Sequence, residues 1–249
     1  MNPTQYKAFY DKVGKTNGWD FSSVKCVSEG AKWDFFEEVA KRCRQSDLLL
    51  DIGTGGGEAA LPVADSVLLL IGIDQSAGMI DTAVQNGAKA SKNNTRFLQM
   101  NAEKLDFPRS FFNIVSCRHS EFFADQVAKV LPKGGIFLTQ QVSENDKLNL
   151  KEAFGKGQEA GKDAGTLKRR YMAELSDAGF TDIQSFDYDA AEYYESAEDL
   201  IFLLKHTPII PDFGQSDNDF QILQQFIADH KTEKGIRTNS ERFMIIARL

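Results

Sequence analysis

Two aspartates separated by a run of glycines are the residues whose spacing first suggests chemistry. Asp51-Ile-Gly53-Thr54-Gly55-Gly-Gly57-Glu58 sets a carboxylate in front of backbone that can approach a ligand closely, because glycine lacks a Cβ and tolerates positive φ, and Glu58-Ala-Ala-Leu61 is expected to open a helix. Asp74 lies 23 residues beyond Asp51, at the end of an apolar run, where a carboxylate can accept both hydrogens of a ribose diol. A third polar turn, Asn101-Ala102-Glu103, offers the Asn101 carbonyl oxygen to an amino group. After a fourth apolar run comes Cys117-Arg118-His119. His119, one of 3 histidines, could take a proton from a hydroxyl or ammonium group near neutral pH, or could simply be a polar wall. Cys117 reads as a small packing residue.

These residues need a scaffold that brings chain segments about 25 residues apart to one edge. Short apolar runs at 48–51, 68–73, 96–100, 112–116 and 135–140 alternate with helical stripes, the pattern of βαβ units and a parallel sheet. The helical stripes include Met79, Ile80, Ala83 and Val84, and then Phe123, Val127, Val130 and Leu131. A sixth unit has a helical stripe of Leu167, Tyr171, Met172 and Leu175 that stops at Gly179, then a strand over 182–188. A last strand is expected over 242–248. Ser196-Ala-Glu-Asp199 has the form of a capping box and opens a helix in the intervening stretch.

The glycines alone leave the ligand open. Read from Gly55 and Gly57 to Ala60, the loop satisfies the looser GxGxxA dinucleotide fingerprint, while the missing Gly-Lys-Ser/Thr excludes a phosphate P-loop. In the other register, Asp51-x-Gly53-x-Gly55-x-Gly57 resembles the class I S-adenosylmethionine-dependent methyltransferases, in particular the type 11-like branch. Gln75-Ser-Ala-Gly-Met79 and the turn Asn101-Ala102-Glu103-Lys-Leu-Asp-Phe107-Pro108 resemble two further signatures of that family, with Asn101 standing where an aspartate is usual.

The resemblance implies S-adenosylmethionine as cofactor and S-adenosylhomocysteine as product. It assigns Asp51, Gly53, Gly55 and Gly57 to the methionine portion, Asp74 to the ribose and the turn Asn101, Ala102 and Glu103 to the adenine, and it counts Thr54, Gln75 and Cys117 among the cofactor-binding residues. Met79 is either an apolar neighbour of the adenosine or simply core. The implied fold is a Rossmann-like α/β sheet of seven strands in the order 3-2-1-4-5-7-6, the last antiparallel, flanked by helices. One domain is expected: a helical N-terminal cap over 1–46, a core over 47–193, a helical insert over 194–241 that covers the substrate, and a final strand over 242–249. Arg118, His119, Tyr6, Tyr10, Trp19, Tyr194 and His206 are the candidate substrate residues, and His119 is also the candidate catalytic base.

Composition narrows the acceptor. A net charge of −7 disfavours nucleic acid, and Lys168-Arg169-Arg170 is the only compact basic cluster. The loop after the fourth strand lacks the Asn/Asp-Pro-Pro-Tyr/Phe signature of enzymes that methylate exocyclic amino groups. A small-molecule acceptor is therefore expected ahead of RNA or protein. An NAD-dependent oxidoreductase and a catalytically silent cofactor-binding module are the competing readings. The 3 cysteines include no CxxC pair, so no metal is expected, and the longest apolar run, over 66–73, is too short to cross a bilayer. A cytoplasmic location is expected.

Overall fold

The structure, a computed structural model, describes residues 21–158 and 161–249. Tyr6, Tyr10 and Trp19 lie outside the described residues. The described strands are β1 (Cys26–Glu29), β2 (Leu48–Ile52), β3 (Leu69–Asp74), β4 (Thr95–Gln99), β5 (Ile114–Arg118), β6 (Ile136–Val142), β7 (Thr181–Tyr194), β8 (Lys231–Thr232) and β9 (Gly235–Arg248). The α-helices are α1 (Phe35–Ala40), α2 (Ala77–Lys89), α3 (Ala124–Val130), α4 (Leu148–Phe154), α5 (Thr166–Asp177), α6 (Ala197–His206) and α7 (Asp217–His230).

They form one sheet in the order β1-β7-β9-β6-β5-β2-β3-β4, with β8 paired to β9. Neighbours from β6 through β4 run parallel, and β9 lies antiparallel between β6 and β7. This is the expected seven-strand order, with β1 added beyond β7 and β8 against β9. Side chains alternate across the strands, so each face carries its own core. Val115, Cys117 and Phe137 pack with Val127 and Val130 of α3 and with Tyr171 and Leu175 of α5. On the other face Leu49, Ile114 and Leu138 pack with Phe35 and Val39 of α1 and with Val63 and Ala64.

Three local readings are corrected. The segment before β2 is not wholly helical: β1 pairs antiparallel with the end of β7, from Cys26 opposite Tyr194 to Glu29 opposite Ala191. The glycine loop does not open an α-helix. A 3-10 helix, Leu61–Ser66, follows it, with Pro62 in its first turn, where the missing N–H breaks no bond. The last two strands are also longer than their apolar runs, because their outer halves pair as polar, alternating sequence from Asp189–Glu241 out to Tyr194–Ile236.

That extension carries a third core. Leu150 and Phe154 of α4, Leu200 and Leu204 of α6, and Leu223 and Phe226 of α7 close around Tyr194 and Ile236. The expected capping box is present at α6: Ser196 Oγ accepts from Asp199 N, and the Asp199 carboxylate accepts from Ser196 N at 3.1 Å. No described helix is long and apolar enough to cross a membrane.

Candidate active site

Parallel strands deliver their C-terminal ends to one edge, and β2, β3, β4 and β5 bring the candidate residues together there. Asp51 sits one residue before the end of β2 and is only 2% exposed. Its carboxylate accepts a hydrogen bond from Ser116 Oγ at 2.7 Å and meets no cation within ion-pair distance among the described residues. Burial pushes its pKa up to about 6, against the pull of the Ser116 and Thr54 hydroxyls and of Arg118. Thr54 lies near enough to favour the ionised form, yet its buried Oγ1 meets no partner with hydrogen-bond geometry.

The loop that follows depends on its glycines. Gly53, Gly55 and Gly57 have φ of 71°, 57° and 77°, a region that side chains resist. A Cβ on Gly53 would also overlap Ser120, which approaches from the end of β5. The amides of Gly53 and Thr54 both donate to the Ile73 carbonyl at 2.9 Å, which ties the loop to β3. Asp74, ending β3, accepts from Gly55 N at 3.1 Å and from Ser76 N at 2.9 Å, so one carboxylate spans the loop and the start of α2. Ser76 caps α2 by accepting from Met79 N at 3.2 Å, and Met79 is buried.

The turn after β4 follows directly, with Met100 N donating to the Asp74 carbonyl at 3.0 Å. Asn101 is exposed and its Oδ1 accepts from Glu103 N at 3.0 Å, which shapes the turn. Ala102 packs on the core, and Gln75 and Glu103 are exposed. Cys117 is buried, its thiol pushed far up by burial, so it is no thiolate nucleophile.

His119 adopts φ 54°. Trp33 Nε1 donates to Gln140 Oε1 at 2.7 Å, which fixes that amide with its NH2 group toward His119 Nε2 at 3.0 Å. Nε2 must then be the accepting nitrogen, and the ring proton resides on Nδ1. Burial, then the charges of Arg242, Arg118 and Lys147, hold the ring well below pKa 6.5.

Three cations cluster near this histidine, and sequence reasoning singled out only one of them. Lys147, 2% exposed, donates to Glu192 Oε2 at 2.6 Å and to the Asn239 carbonyl at 2.9 Å. Burial would raise the Glu192 pKa, but Lys147, Tyr194 and Arg242 together hold it below the usual value. Arg242 pairs with Asp146. The side chain of Arg118, ending β5, makes no hydrogen bond or ion pair among the described residues; its Nε is buried and unpartnered, and its guanidinium lies 5.7 Å from the Phe36 ring centre.

The other substrate candidates are engaged elsewhere. Tyr194 is buried in the third core and donates to Glu192 Oε2 at 2.8 Å. His206 stacks on Phe202 at 4.1 Å, with Nδ1 2.8 Å from that residue's carbonyl, inside its own helix. Ser116, Ser120 and Gln140 escaped the sequence reading because each acts through a strand partner remote in sequence.

Residues 49–135 match a family described as a methyltransferase domain. Over that stretch, about a third of its length, the chain is similar to a methyltransferase domain. A curated Bacillus subtilis protein named as the uncharacterized methyltransferase YcgJ is 35% identical over 125 residues, 47% of this chain and 49% of that protein, so the match spans about half of its length. The crystal structure of YcgJ superposes with a TM-score of 0.63 over 86% of this chain and 97% of its own, at 21% identity. The [4+2]-cyclase SpnF shares the fold at a TM-score of 0.63 and 18% identity, over 100% of this chain and 97% of its own.

Proposed function

We propose that the protein transfers a methyl group from S-adenosylmethionine to a small-molecule acceptor. The observation that carries this reading is Asp51: a carboxylate almost wholly buried at a glycine loop, held by the Ser116 hydroxyl and without a cation among the described residues. A buried carboxylate without a cation is costly, and a ligand bringing an ammonium group and a sulfonium would offset that cost. The orphaned Thr54 Oγ1 beside it is a second polar atom without a partner. Asp74, at the far side of the loop, suits a ribose diol.

The dinucleotide alternative fits less well. A pyrophosphate in such folds rests on the N-terminus of the helix after the glycine loop, where free amides and the helix dipole favour negative charge. Here that helix is a short 3-10 segment that starts only at Leu61, and Asp51 would repel the phosphates.

The bound cofactor supplies an already activated methyl group. What this chain supplies is position: Asp51 and the loop orient the donor, Asp74 fixes its register, and the β5 end brings the acceptor into line, the kind of approximation that can account for most of such a rate. His119 has its Nε2 lone pair committed to Gln140, so we assign it a wall and orienting role in place of the base suggested by its type. Because the fold also serves a cyclase, binding and turnover need separate assays. Calorimetry should show S-adenosylhomocysteine binding and no NAD binding; the opposite result would overturn the proposal.

A further inference from the structure

Of the three cations near His119, two are paired with carboxylates and one is not. Arg118 presents five N–H donors and uses none among the described residues, although it is mostly buried. A protein keeps an unpaired, desolvated guanidinium at a stability cost, which is reasonable where a ligand supplies the missing anion. Its neighbourhood is ready-built. Sheet register aligns Arg118, Gln140, Met244 and Phe186 in one row across β5, β6, β9 and β7, on the face covered by α1. Phe36 lies beneath the guanidinium, and Trp33 packs edge-on to Tyr188 at 4.6 Å, all three rings partly exposed.

We infer that Arg118 binds a carboxylate of the methyl acceptor, which is a small planar or aromatic acid held by the guanidinium fork between the Phe36 and the Trp33–Tyr188 rings. A guanidinium pairs with a carboxylate through two parallel hydrogen bonds, and flat apolar walls favour a flat acid. The cofactor's own carboxylate is the other source of the same chemistry. Its guanidinium lies against Phe36 of α1, whereas the Asp51 carboxylate at the glycine loop is taken by Ser116. The inference rests on the methyltransferase reading for its acceptor, and the test separates the two.

The full-length protein is titrated with benzoate and with its neutral isostere benzamide, with and without saturating S-adenosylhomocysteine, by ligand-observed NMR. Wild type is expected to bind benzoate at least about tenfold more tightly than benzamide, the scale of charge-assisted hydrogen bonds. Arg118→Met should reduce that ratio to about one, and Arg118→Lys should keep part of it. S-adenosylhomocysteine affinity should stay within about threefold, and the unliganded thermal midpoint of Arg118→Met should rise, by about 2 to 4 °C for each kcal/mol relieved in a chain of this size. A lowered midpoint would make Arg118 structural, and a tenfold loss of S-adenosylhomocysteine affinity would give its guanidinium to the cofactor. An unchanged benzoate-to-benzamide ratio would remove the anion site altogether. If wild type fails to bind S-adenosylhomocysteine, the methyltransferase reading falls, while the benzoate ratio measured without it still judges Arg118.

Discussion

The raised pKa of Asp51 makes cofactor affinity a function of pH. Only the ionised carboxylate balances an ammonium group, and with a pKa of about 6 that form is about one tenth of the unliganded protein at pH 5. Affinity for S-adenosylhomocysteine should therefore be about tenfold weaker at pH 5 than at pH 7.5, or about 1.4 kcal/mol, and level off above pH 7. Binding near pH 6 should release about half a proton, measurable by calorimetry in two buffers of different ionisation enthalpy. Stability moves the other way. Because the carboxyl binds its proton more tightly in the fold than in the unfolded chain, the fold is favoured at low pH. That advantage is lost as pH rises from about 4 to about 6, by about 3 kcal/mol in full.

Asp51→Asn keeps the shape and removes the titration. The variant should bind weakly at every pH, with no slope between 5 and 7.5, and its unfolding free energy should lack the corresponding fall. A flat affinity profile in wild type, or the same slope surviving in Asp51→Asn, would refute the reasoning.

Gly53→Ala should cost about 2 to 4 kcal/mol in denaturant unfolding, because a left-handed φ and overlap with Ser120 add together. Gly134→Ala, with φ 81° and open space around it, should cost only about 1 to 2, and equal losses would mean that crowding is irrelevant. Lys147→Met should destabilise by about 3 to 5 kcal/mol, since it strands Glu192, and a loss below about 1 would show the pair to be unimportant. His119→Asn should lower turnover by less than about tenfold once an acceptor is in hand, whereas loss of a true general base costs about 100-fold or more.

What the sequence made legible is local. Asp51, the glycines and Asp74 are recognisable because each sits within a few residues of its strand end, and Ser196 with Asp199 announces α6 by spacing alone. The outer halves of β7 and β9 escaped because their polar alternation has no apolar run to mark it, and β1 escaped because a four-residue edge strand is defined only by the partner it finds. The ionic network escaped for the same reason. Lys147 meets Glu192 across 45 residues and Arg242 meets Asp146 across 96, so no window of sequence contains either pair.

Asp51 and Arg118 carry opposite charges on the same sheet face, yet do not pair. Asp51 is in register with Ser116, and Arg118 stands two residues farther along that strand, about 6.6 Å away along the backbone. A guanidinium could span such a gap, and an ion pair would relieve both groups. Instead Ser116 takes the carboxylate, while the arginine lies against Phe36 on the α1 side. Two charges without an ion-pair partner among the described residues, held apart on one sheet face, are unfavourable for the empty fold and favourable for ligands that bring a cation to one and an anion to the other. The cation side matches a cofactor whose chemistry the glycine loop already indicates. The anion side lies toward Met244 of β9 and Phe186 of β7, on the face that α1 covers, so the proposed acceptor site draws on residues that only the sheet register brings together.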